Sequence, residues 1–118
     1  VDASHRTCAP GAAMNGADTL EVSPLTDRCG LRARGVISAA TRPCWETALA
    51  ELARQPAEVR HVELAEVGFI DVGGVTALAI TTMKTPGRRL VVERPPPHLP
   101  RLLQMFWPHL EDIEVVPR

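Results

Sequence analysis

The residues best placed to do chemistry stand together in one short run, Asp71-Val72-Gly73-Gly74, directly after the apolar pair Phe69-Ile70. An aspartate ahead of two glycines sets a capping carboxylate beside an unobstructed helix N-terminus, where backbone N–H groups are exposed and the macrodipole is positive. Such a terminus receives a phosphate or a partner's acidic side chain. Gly73 and Gly74 form neither a GxGxxG turn nor a lysine-bearing P-loop, so no cofactor is assigned, and close packing or backbone geometry accounts for them. His5, His61, His98 and His109 are scattered without metal-ligand spacing, so no metal is expected. Cys8, Cys29 and Cys44 are odd in number and lack a CxxC pair, which reads as reduced thiols and not as a disulfide framework. No histidine and acid accompany a nucleophile in sequence, so no catalytic residue is assigned and the chain reads as a non-enzyme.

The elements that must position Asp71 follow from periodicity. Residues 1–18 show neither a helical nor a strand period and read as a flexible tail, leaving one domain over residues 19–118. Leu20 and Val22, then Leu31 and Ala33, alternate with polar residues on either side of a turn at 27–30, the pattern of a hairpin. Thr41 is a candidate N-cap with Pro43 in the first turn, and Trp45, Ala48, Leu49 and Leu52 make one apolar helical stripe. Val59 to Leu64 reads as a strand. Asp71 then caps a helix on which Val72, Val75, Leu78, Ala79 and Thr82 share a face, and Pro86-Gly87 ends it. A strand over 89–92, a helix with Leu99, Leu102, Leu103 and Phe106 on its buried stripe, and a last strand around Ile113 to Val116 complete the chain. Trp107 and Met105 fall off that stripe and are candidates for exposure at a contact. Strands alternating with short helices after a hairpin predict an α/β fold: a mixed sheet of four to five strands, parallel at its centre, packed by about three amphipathic helices.

Composition narrows the partners. Thirteen basic and fourteen acidic residues give a net charge of -1, which steers the chain toward neither nucleic acid nor anionic membrane. Lys84 is lysine and the other twelve basic residues are arginine, the bias of GC-rich coding and a pointer to a bacterium. No apolar run reaches the length of a membrane span, and the N-terminus lacks the order of a signal peptide, so the expected location is the cytoplasm, without membrane insertion.

The run Phe69-Ile70-Asp71-Val72-Gly73-Gly74-Val75 resembles the phenylalanine-isoleucine-aspartate-serine-serine-glycine-leucine turn of STAS domains, and the likeness extends over roughly residues 20 to 116 through Leu31 to Ile37, Leu90-Val91-Val92 and the helix after the prolines. The resemblance is to bacterial anti-sigma factor antagonists. It implies a STAS fold and a partner that is an anti-sigma factor, a serine kinase of the histidine-kinase-like ATPase fold, with a homodimer also allowed. In such antagonists the serine before the final glycine is phosphorylated, and the added charge breaks the complex. Gly73 stands at that position and Val72 at the serine before it, so this is a variant without the standard switch; Ser38 stands where the family commonly has an aspartate. The expected partner-binding set is Ser38, Thr41, Asp71, Val72, Gly73, Gly74 and Thr76, with Thr76 as a displaced phosphosite set against its plainer reading as a packing residue. The competing reading is an accessory STAS subunit of a lipid or ABC transport complex, or a scaffold of a multi-STAS assembly.

Overall fold

A computed structural model describes the strand Arg6–Cys8 and residues 18–117. Six strands lie in one sheet in the order β1-β2-β3-β4-β5-β6, with β1 Arg6–Cys8, β2 Leu20–Pro24, β3 Gly30–Ile37, β4 Val59–Ile70, β5 Arg89–Glu93 and β6 Ile113–Val116. The first two pairings are antiparallel and the rest parallel, which is the expected mixed sheet with one further strand. That strand, β1, falls within the segment read as a tail; the other residues of 1–17 lie outside the described residues. The parallel pairs are joined by α1 Arg42–Ala53, α2 Val72–Met83 and α3 His98–Phe106.

All three helices contribute to a single core with the sheet. Trp45, Leu49, Leu64, Leu78, Leu90 and Leu99 are buried in it, at a worth of roughly 1.5–3 kcal/mol for each large aliphatic side chain. On β4 the residues Arg60, Val62 and Leu64 face the helices, so His61 and Glu63 face the other side. Arg60 is fully buried among apolar residues because it serves the end of α1: it donates to the Leu52 carbonyl (3.4 Å) and to the Thr85 hydroxyl (2.7 Å). Arg88 donates to the carbonyls of Ala53 and Gln55 nearby, so two guanidinium groups meet the negative end of the α1 dipole.

Two expectations are corrected. Phe106, placed on the buried stripe of the third helix, is 54% exposed, and the stripe is carried by Leu99 and Leu103, which are four residues apart on one face. Cys44, read as a reduced thiol, is disulfide-bonded, whereas Cys29 is free. Pairing depends on distance in the fold, which spacing along the chain does not report.

β4 is also longer than its apolar start suggests, running without a break through Gly68 to Ile70, and beyond Glu63 it has left β5 behind. Side chains serve the border so created. Glu63 accepts from the Ala65 N–H (3.2 Å), and His98 makes a 2.6 Å hydrogen bond with the Ile70 carbonyl, which fixes Nε2 as the donor.

On the face away from the helices, charges alternate in sign from strand to strand. Glu93 receives Arg28 on one oxygen and His61 Nδ1 (2.7 Å) on the other. Burial alone would raise the Glu93 carboxyl, but the hydrogen bonds from Arg28 and His61 outweigh it and hold the carboxyl below its ordinary value. A lowered carboxyl stabilises the fold fully above the unfolded value of about 4.3 and loses that contribution as pH falls through the folded value. Glu93→Gln is therefore expected to be less stable than wild type at neutral pH, with the gap closing below about pH 4 in urea unfolding at stepped pH. A gap independent of pH would show that the carboxylate charge is not what stabilises.

Candidate functional site

The run 69–76 sits where β3 and β4 end together. Ile37 pairs with Ile70 at the last rung of the ladder, and the Asp71 N–H continues it by donating to the Ile37 carbonyl (3.0 Å). Asp71 then leaves the strand in an extended conformation and caps α2: its Oδ1 accepts from the Gly74 N–H at 2.8 Å. Its Oδ2 accepts from Arg42 NH2 at 3.0 Å, so the same carboxylate also holds the start of α1. The sequence reading identified the cap and missed Arg42, because a partner 29 residues upstream leaves no periodic trace.

Close approach explains Gly74: a Cβ there would stand 2.7 Å from Ile37 Cγ2 and from Ile70 Cγ1, whereas at Gly73 a Cβ would meet only the flexible end of Arg42, which can give way. The Gly74 carbonyl also receives the indole N–H of the buried Trp45 (3.0 Å), which locks α1 against α2. Gly74 is itself buried, so its place in the site is to bring α2 down onto the sheet. Gly73 is half-buried beneath Arg42.

Of the remaining expected residues, Val72 is 49% exposed and Thr76 half-buried on the outer side of α2, its hydroxyl donating to the Val72 carbonyl (2.8 Å). Ser38 is half-buried and donates to Asp18 (2.9 Å). Thr41 is the N-cap residue of α1, as its place in the sequence predicts, but its side chain makes no cap bond; buried, it donates to the Val36 carbonyl (2.7 Å) and accepts from the Ser38 N–H (3.0 Å). A side chain so enclosed shapes the 38–41 turn.

The surface around these residues is apolar. From Val72 to Met83 there is no charged residue, yet Val72, Ile80 and Met83 are exposed, and so is Phe69 at the end of β4, stacked on His98 with ring centroids 5.9 Å apart. A helix without charge that leaves large apolar side chains in water is ordinarily covered on that side. Among the described residues no group of three metal-ligating side chains comes together.

This strand-turn-helix with its capping aspartate and glycine pair lies within residues 21–107, which match the family model described as "Mlab, STAS domain", about three quarters of the chain. The chain belongs to the STAS domain family. No curated protein matches it. STAS domains are regulatory or binding modules, and an exposed apolar helix behind a rigidly capped turn suits such a module. No described helix of this STAS domain is long and apolar enough to cross a membrane.

Removing the Asp71 carboxylate takes away the α2 cap and the Arg42 partner together. Asp71→Ala is expected to cost about 1–2 kcal/mol, and Asp71→Asn, which keeps an oxygen for Gly74, distinctly less, in chemical denaturation. Equal losses would place the stabilisation in the Arg42 pair instead of the cap.

Proposed function

We propose that this STAS domain is a non-catalytic regulatory module that docks a partner protein on the outer face of α2, in the manner of an anti-sigma factor antagonist but without the serine switch. The observation that carries the reading is the twelve-residue α2 with no charge and with Val72, Ile80 and Met83 exposed. Large apolar side chains around a fixed turn are what a protein interface desolvates at its centre. Arg42, Asp71, Ser38 and Thr76 form a polar border to that centre. The partner proposed is an anti-sigma factor, a serine kinase of the histidine-kinase-like ATPase fold, and steric exclusion of its sigma factor suffices as mechanism.

A second reading has one observation in its favour. The position of the phosphorylated serine is Gly73, and the Arg42 guanidinium lies over it, paired with Asp71. A docking surface with no acceptor hydroxyl at 72 or 73 suits a permanent assembly as well as a switched one. An accessory subunit of a lipid or ABC transport complex, or a member of a multi-STAS scaffold, is such an assembly.

Affinity capture of the tagged chain from native lysate, with mass spectrometry of the eluate, separates the two. A kinase-fold anti-sigma protein supports the first reading, and transporter subunits or other STAS proteins support the second. Either partner is expected to be lost with Val72→Glu, at roughly tenfold or more in affinity, while the melting temperature stays near wild type. Retention of the partner by a folded Val72→Glu variant places the interface elsewhere.

A further inference from the structure

Cys44 is disulfide-bonded and Cys29 is free, and the sequence holds one further cysteine, Cys8, in the edge strand β1. Geometry separates Cys29 from Cys44 independently. Cys29 lines a cavity together with Leu52, near the end of α1, whereas Cys44 is the third residue of that helix. The helix from Cys44 to Leu52 spans about 12 Å, and a disulfide needs Cα atoms within about 7 Å of each other.

β1 is the strand of this sheet with most need of a fastening. It has three residues, and β2 is its one neighbour in the sheet, paired as Arg6↔Val22, Thr7↔Glu21 and Cys8↔Leu20. A ladder so short returns few hydrogen bonds against the entropy lost in ordering the chain. The other side of the bond is well anchored. α1 packs against β2 and β3, and Cys44 is buried in the same core as Leu20, the residue with which Cys8 is aligned. Around Cys44, Arg42 holds Asp71 and the Trp45 indole N–H donates to the Gly74 carbonyl, so the start of α1 is a fixed point.

We propose that Cys44 is paired with Cys8 and that this disulfide is a redox-sensitive latch holding β1 on the edge of β2. Reduction by a dithiol opens it: the S–S bond takes up two electrons and two protons to give two thiols, and the dithiol leaves as its own cyclic disulfide. A disulfide oxidant closes the latch by the reverse exchange. With the latch open β1 leaves, and the outer edge of β2, Leu20–Pro24, is bare for another strand to pair with. The latch does not depend on the docking face of α2.

The full chain, purified without reductant and blocked with N-ethylmaleimide, is digested and mapped by mass spectrometry. One peptide pair linked through Cys8 and Cys44, with maleimide on Cys29, is the expected result, and it persists in Cys29→Ser. Amide hydrogen exchange is then followed with and without dithiothreitol. Reduction is expected to speed exchange over residues 6–8 and 20–24 by about tenfold or more while residues 59–70, in the middle of the sheet, keep their rate. Cys8→Ser, at the sheet edge, is expected to exchange at the fast rate whether or not dithiothreitol is present. Absence of the linked pair, equal exchange in the two redox states, a redox response that survives in Cys8→Ser, or an acceleration shared equally by residues 59–70 overturns the proposal.

Discussion

Around Asp71 three contacts converge within one residue: its N–H on the Ile37 carbonyl, Oδ1 on the Gly74 N–H and Oδ2 on Arg42. The first extends the β3–β4 ladder, the second starts α2, and the third ties in the beginning of α1. Each alone is worth on the order of 1 kcal/mol, but together they fix the angle at which α2 leaves the sheet. The bare Gly74 and the Trp45 bond to its carbonyl depend on that angle, since a helix tilted away would need neither. The apolar outer face of α2 is thus presented from a rigid turn, and a surface ordered beforehand loses less entropy on association.

Much of this was legible in the sequence. The helical stripe from Trp45 to Leu52, the Asp71 cap and the change from hairpin to parallel crossovers follow from local spacing, and the structure repeats them. What was hidden depends on groups distant in sequence. Arg42 over Gly73, the enclosure of Thr41 and the disulfide at Cys44 arise from the meeting of elements, and no periodicity anticipates them. Phe106 was misplaced for a different reason: at the last turn of α3 a stripe position has already passed the edge of the core.

The face of the sheet away from the helices shows how charge substitutes for cover. Glu63 is 1% exposed there because Arg32 and Arg94 close over it. Arg94 does so from a left-handed backbone, φ 51°, a conformation that a non-glycine residue adopts at some cost, here with its N–H bonded to the Val116 carbonyl (2.7 Å). Long arginine stems shield the strands, and their heads remain paired with acids.

The order of strands in the sheet is the order of strands along the chain. Every strand is laid against the one made before it, and no later segment has to be inserted between two earlier ones. During synthesis the growing sheet can be completed rung by rung as the ribosome releases the chain, with α1 and α2 closing over each new pair. The border left by each strand is the one the next strand covers, which limits the interval in which that edge could recruit a foreign strand.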